Sequence, residues 1–528
     1  MTDTRTKNSS RNIIFSMTAY LVQVVLGFLV RRYFIYYFNE EFLGLNSLFA
    51  NILSILSLAE LGFGTAIVFS MYKPMAENDV EKVKALLGFY RKCYMVIGVI
   101  VAVLGLLVLP FMPYFKTKAP NVDVNIYIVY LLFLANSVVS YFFAYRRSLL
   151  YANQRNDIES KINILIYIVQ SVGQLLIILL LKNFYLYVVM IGISTVLNNF
   201  LVVIITQKKY LEFLDFSQVK LSDDERKVIK KNVTALIFHK VGEMLIYSTD
   251  SVLIYTLVGA SALGKYSNYV LIVNYIGTII NLYINALSGS IGNSIASEST
   301  EKNATLFSKL NFIHVFICAF CTVCIFNLSD PFIDCILTKN STTSLLLNKF
   351  TLFAICLSFY LNYSKNMVNA FKQGAGLFEQ DKYMTLIEAG INLVASIVLA
   401  KFFGLIGIVV GTIISTLSIS MWTKPYVLNK YYLKQSTGKY FLKYLGYTAC
   451  MAVSGVVTYF VCSLIPAGGI VMLVLKFAVC GVVAGVTLLA GFALMPDFKQ
   501  CFEWGKTILK NFKKRKATVT EEEEKSDE

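Results

Sequence analysis

Four side chains near the middle of the chain have the types and spacing to do chemistry. Lys240, Glu243, Tyr247 and Asp250 follow one another at steps of three, four and three, so they line one stripe of a helix. The stretch that carries them, 232–257, is otherwise apolar and long enough to cross a bilayer. An ionised side chain at the centre of a membrane helix costs roughly 2.5–3.5 kcal/mol, which disfavours lipid as the neighbour of all three charges. Two environments satisfy that constraint. In one, Lys240 and Glu243, a turn apart, form a buried ion pair that helps helices pack. In the other, the stripe is the charged wall of a water-filled transport cavity. Asp250 lies ten residues beyond Lys240, about 15 Å along the axis and too far for a direct pair. Asp250 is therefore the candidate for coupling to H+ or Na+, and Glu243 the residue that holds Lys240.

Further polar stripes repeat the pattern. An apolar segment at 267–292 carries Asn274, Thr278, Asn281, Asn285 and Ser288 at helical spacing, and one at 348–371 carries Ser358, Asn362, Lys365 and Asn369. Asn136, Ser140 and Arg147 share a face of a third segment; Tyr20, Gln23, Gly27 and Arg31 share one of the first; Asn163, Tyr167, Gln170 and Gln174 line a fifth. One such stripe is explained by interhelical hydrogen bonds worth about 0.6 kcal/mol each. Together they ask for more polar surface than packing needs, which points to a cavity. The cations at membrane depth are Arg31, Arg32, Lys240 and Lys365, and the acids are Glu60, Glu243, Asp250 and Glu388. Buried cations suit phosphate, Arg especially through bidentate contacts. The four cations with Asn274, Asn281, Asn285 and Asn362 are thus the expected substrate-binding set, and the four acids the expected ion-coupling set. Adjacent helix positions point about 100° apart, so only one of Arg31 and Arg32 faces such an interior.

The elements that position these residues follow from composition. Of 528 residues, 56% are hydrophobic and 15% charged, with mean hydropathy +0.63, the profile of an all-α polytopic membrane protein. A net charge of +16 does not signal nucleic acid, because the basic residues collect in alternate loops. Fourteen apolar segments of spanning length emerge, and 36 of the 48 Lys and Arg residues fall in the termini and the loops on their side, against seven in the opposite loops. The positive-inside rule then places both termini in the cytoplasm. The first segment follows Arg5, Lys7 and Arg11 with no small-residue cleavage site, and is expected to be retained. No histidine-built metal or catalytic site is expected from two histidines, and the ten scattered cysteines read as buried small hydrophobes.

A shift of 220 residues superposes Arg11-Asn12 on Lys231-Asn232, Leu43-Gly44 on Leu263-Gly264 and Glu81-Lys82 on Glu301-Lys302. Matching segment boundaries over six helices give two parallel six-helix bundles, 1–210 and 233–430. The cytoplasmic linker 211–232 contains the capping signature Ser222-Asp-Asp-Glu225. Two further helices occupy 431–495, and the tail 496–528 turns from basic to acidic.

Glu41-Phe-Leu-Gly-Leu-Asn46, Leu58-Ala-Glu-Leu-Gly-Phe-Gly-Thr-Ala66 and Thr249-Asp-Ser-Val-Leu-Ile254 resemble the bacterial flippases for lipid-linked polysaccharide repeat units. These belong to the multidrug/oligosaccharidyl-lipid/polysaccharide exporter superfamily. The resemblance covers the whole chain, twelve core helices plus two. It implies a MATE-like fold and transfer of undecaprenyl-diphosphate-linked oligosaccharide between leaflets of the cytoplasmic membrane by alternating access, for O-antigen or capsule synthesis. It implies no cofactor beyond a coupling ion, a monomer, and polysaccharide polymerase and chain-length machinery as partners. Two other readings compete: a drug or cation antiporter of the same fold, separable by a small-cation transport assay, and a membrane-embedded glycosyltransferase or polymerase. The last lacks a sizeable extracytoplasmic loop and a close carboxylate pair at a membrane edge.

Overall fold

The computed structural model describes residues 2–507 except 58–62, 154, 215–220, 223–226, 228–241, 243, 244, 247, 339–343, 378, 382 and 467. Side chains are described from residue 15 onward, apart from 63–67, 69 and 76 within helix. Glu60, Lys240, Glu243, Tyr247, residues 223–225 of the expected cap and the acidic tail lie outside the described side chains.

Every described element is helical. In chain order they are α1 Thr2–Tyr37, α2a Glu40–Leu56, α2b Phe63–Ala76, α3 Val80–Leu106, α4 Ile126–Ala152, α5 Asn156–Leu176 and α6 Phe184–Lys209. Helical turns at 248–253, here α7, run into the π-turn Ile254–Val258. Then follow α8 Ala260–Ser297, α9 Thr300–Phe332, α10a Lys349–Tyr363, α10b Asn366–Gly374, α11 Met384–Phe403, α12a Leu405–Ser418, α12b Ser420–Leu428, α13 Thr437–Ser463 and α14 Ile470–Ala493.

Eleven of the described helices are long and apolar enough to cross a membrane. The expected spans absent from that set are 43–71, 233–257 and 348–371. Undescribed residues interrupt the first two, and the third is broken between Tyr363 and Asn366. The fold is that of an all-α polytopic membrane protein with about fourteen membrane helices. The last helix is apolar on both sides, as lipid demands. In α14, Leu473, Cys480, Ala484, Leu488 and Phe492 are buried, while Val471, Val474, Val482 and Val486 are exposed.

The chain divides into two compact units. The first is Met1–Asn268, Ile336–Leu347 and Thr385–Ser415; the second is Tyr269–Cys335, Asn348–Met384 and Thr416–Glu528. In the first, α2b, α3 and α4 meet over Met71, Leu87, Tyr94, Val101, Tyr141 and Leu149. In the second, α9 packs its Phe312 on Tyr447 of α13 and Phe492 of α14.

The 220-residue repeat has physical counterparts. Asp79 caps α3 by accepting from Lys82 N, and Ser299 caps α9 by accepting from Lys302 N, each pair displaced by 220. A methyl on Gly44 would collide with the Ala260 carbonyl, and one on Gly264 with the Glu40 carbonyl. Residues 40 and 260, like 44 and 264, are repeat mates, so the contact of α2a with α8 is pseudo-symmetric.

Candidate functional site

Two buried polar centres carry the candidate residues, one in each unit. The first rests on close helix approach. Gly407 and Gly411 lie four apart on α12a, where a side chain would run into Leu399 and Ser396 of α11. Gly242 is equally tight against Thr385 at the start of α11. Small residues thus bring three helices near enough to share hydrogen bonds.

Asp250 is the centre of that meeting, with 7% of its surface exposed. The Thr412 hydroxyl donates to Asp250 Oδ2 at 2.6 Å, and Asn392 Nδ2 donates to Thr412 Oγ1 at 2.9 Å. On α11, Thr385, Glu388, Asn392 and Ser396 form one buried line at steps of three, four and four. Asp250 Oδ1 and Asn392 Oδ1 are buried without a partner among the described residues. Unsatisfied buried oxygens are rare and costly, and two in one cluster suit a proton or a hard cation. No group of three His, Cys, Asp or Glu able to hold a metal occurs among the described residues.

The second centre is made by two interrupted helices. α10 breaks at Ser364-Lys365, and α12 breaks at Ile419, whose φ of −120° and ψ of −76° leave the helical region. Lys365 is 6% exposed, and its Nζ donates to Ser420 Oγ at 2.7 Å, tying one break to the other. The Ser364 hydroxyl lies 2.9 Å from that of Tyr444. The Tyr363 carbonyl at the break is 2.9 Å from His314 Nε2, which donates to it in the matching tautomer. Gly277 of α8 makes room for the Tyr363 hydroxyl, and one turn later Asn281 accepts from Asn366 Nδ2 at 3.0 Å.

Two half-helices, α10b and α12b, therefore start at this point. Neither has a side chain capping its first turn. The positive end of each half-helix dipole lies at the break, beside the Lys365 ammonium, which is a seat for an anion.

The remaining expected residues are distributed as follows. Asn274, Asn281 and Asn285 are exposed along α8, with Ile280 and Ile284 on the buried side. A polar stripe of that kind is unfavourable against lipid and requires water or protein. Asn362 is half-buried and bonds back to the Ser358 carbonyl. Arg31 is held in the first unit, where Nε donates to Asn268 Oδ1 at 2.8 Å and NH2 to Ser267 Oγ at 2.5 Å. Arg32 beside it is half-buried. Arg147 donates to Asn198 and Asn199 of α6. Thr412, Asn392, Ser420, Asn366 and His314 were not singled out by sequence. Only the Gly407-x-x-x-Gly411 spacing was a visible signal, as a small-residue packing motif.

No protein-family model matches the chain, and no curated protein sequence does. Solved structures do. An inward-facing multidrug resistance MATE family transporter of the MOP superfamily is 15% identical over 80% of this chain and 98% of its own, with a TM-score of 0.64. The lipid II flippase MurJ in an inward closed conformation is also 15% identical, over 91% of this chain and 99% of its own, again at 0.64. A MOP superfamily transporter from Pyrococcus furiosus, described by the reverse polarity of its binding pocket, is 16% identical over 81% and 97% at 0.54.

Proposed function

We propose that the chain is a flippase that moves undecaprenyl-diphosphate-linked oligosaccharide repeat units from the inner to the outer leaflet of the cytoplasmic membrane. It works by alternating access of two six-helix bundles, serves O-antigen or capsular polysaccharide synthesis, and carries both termini in the cytoplasm. The observation that carries this reading is the Lys365 centre, where a buried ammonium meets two uncapped half-helix starts. A diphosphate supplies the negative charge such a seat attracts, and the exposed asparagines of α8 supply hydrogen bonds suited to sugar hydroxyls. The flippase MurJ spans 91% of this chain against 80% for the inward-facing MATE transporter, which supports a flippase over a drug antiporter.

In this mechanism the diphosphate displaces the Ser420 hydroxyl from Lys365, loosening the link between the breaks in α10 and α12. Uptake of H+ or Na+ at Asp250 resets the opposite orientation. Lys365→Met removes a charge-assisted contact worth about 1.5–3 kcal/mol, roughly ten- to a hundredfold in apparent substrate affinity. Transfer of a fluorescent polyprenyl-diphosphate oligosaccharide across reconstituted vesicles should fall by that factor, and Lys365→Arg should keep part of it. Unchanged transfer by Lys365→Met, with protein abundance held, removes Lys365 from the site. Extrusion of a small drug cation by the wild type would favour the antiporter instead.

A further inference from the structure

A polar cavity lies within the second unit. It has a volume of about 380 Å³ and sits where α9 begins, α13 begins and α14 has just ended. The ends of three helices of membrane-spanning length thus meet at it.

Its wall is cationic. Lys434, Lys439 and Lys443 line it, with Asp497 as the only carboxylate of the lining. That acid is already occupied. Lys443 Nζ and Ser308 Oγ each donate to Asp497 Oδ1 at 2.8 Å, and the Tyr447 hydroxyl donates to Oδ2 at 2.8 Å. Among the described residues neither Lys434 nor Lys439 makes an ion pair within 4 Å. The N-terminus of α13, a helix of 27 residues, opens on the same cavity through its cap Ser436.

An independent feature calls for a ligand. Asn311 lines the cavity and is only 6% exposed, yet its Oδ1 has no hydrogen-bond partner among the described residues. The Tyr440 hydroxyl, in the same lining, is likewise buried and unpartnered. Lysines and a helix start require an anion. An orphan amide oxygen requires a donor, which inorganic phosphate supplies poorly and a hydroxyl supplies well.

We infer that this cavity binds a phosphate ester that also bears hydroxyl groups, the chemistry of an anionic glycerolipid headgroup. Lys434, Lys439 and the first turn of α13 hold the phosphate, while Asn311 and Tyr440 hold the hydroxyls. The cavity adjoins the Lys365 centre through Tyr444, but a thermal midpoint reads its occupancy without transport, so the test stands whether or not the flippase reading holds.

The test is thermal unfolding of the full-length protein in neutral detergent, titrated with phosphatidylglycerol, phosphatidylcholine or inorganic phosphate. Phosphatidylglycerol should raise the midpoint and phosphatidylcholine should not. The pair Lys434→Asn and Lys439→Gln should weaken the half-saturating lipid concentration about tenfold. Asparagine suits position 434 because Lys434 has a φ of 53°, so the ligand-free midpoint should not move. Asn311→Leu should weaken phosphatidylglycerol but leave any effect of inorganic phosphate intact. Equal protection by inorganic phosphate, lost in the double variant, would identify a free phosphate ester as the source. Absence of protection by either ligand, or full protection retained by the double variant, overturns the site.

Discussion

Replacing Thr412 by Val tests the coupling centre most directly. Val has nearly the shape of Thr, so the packing of α12a on α11 is preserved while one hydroxyl is removed. That hydroxyl makes two buried bonds, 2.6 Å to Asp250 and 2.9 Å from Asn392. A hydrogen bond to a charged group contributes about 1.5–3 kcal/mol and a neutral one about 0.5–1.5 kcal/mol, which gives about 2–4.5 kcal/mol for the pair. At 1.4 kcal/mol per decade, the upper part of that range far exceeds a tenfold change. If the cluster takes up the coupling ion in place of this hydroxyl, the half-saturating H+ or Na+ concentration for transport in vesicles should fall roughly thirtyfold, with ion release and turnover slowed. Thr412→Ser should restore the wild-type dependence. A merely structural Thr412 would lower thermal stability and leave ion dependence where it was. That outcome would refute the coupling role, and Asp250→Asn turning over normally in an ion gradient would do the same.

Two further predictions concern the fold. Gly44→Ala and Gly264→Ala each force α2a and α8 apart, at about 1–3 kcal/mol. Because the two contacts are pseudo-symmetric parts of one crossing, the double variant should lower the thermal midpoint by less than the sum, and full additivity would argue against a shared crossing. The second concerns Asp497, whose carboxyl burial alone would raise, but which donors from Lys443, Ser308 and Tyr447 hold below its ordinary value. A group depressed in the folded state adds stability that is complete above its unfolded value near 3.9 and is lost as pH falls through the folded one. The gap in thermal midpoint between wild type and Asp497→Asn should therefore stay constant from pH 7 to about 5 and close below about 4. A gap undiminished at pH 3 contradicts that network.

Helix number and membrane class were legible because lipid imposes long apolar segments, and no tertiary information is needed to see them. Gly44 and Gly264, which the 220-residue shift superposes, each meet a local steric demand. The break in α10 was hidden. Ser358, Asn362, Lys365 and Asn369 fit one unbroken helical stripe, and neither proline nor glycine stands at Ser364-Lys365. What breaks the helix is long-range: Ser420, Tyr444 and His314 satisfy groups that the local chain would otherwise keep for itself. The partner of Asp250 was hidden for the same reason, because Thr412 is 162 residues away. The engagement of Arg31 by Ser267 and Asn268 was hidden likewise.

The position of those two hidden partners on one helix bears on how ion uptake and substrate release are linked in the proposed cycle. Thr412 lies on α12a and Ser420 opens α12b, eight residues later in the chain. In an unbroken helix that interval is about 12 Å of rigid rod, and a shift at one end would simply translate the other. Ile419 leaves the helical region between them, so the interval is not one unbroken rod. When an ion or proton replaces Thr412 as the partner of Asp250, α12a is released from α7 and only the chain at Ile419 transmits the change to Ser420. The Lys365–Ser420 bond then breaks or reforms as α12b moves. On this reasoning the break is the coupling element, and it sets how tightly the ion is linked to the substrate.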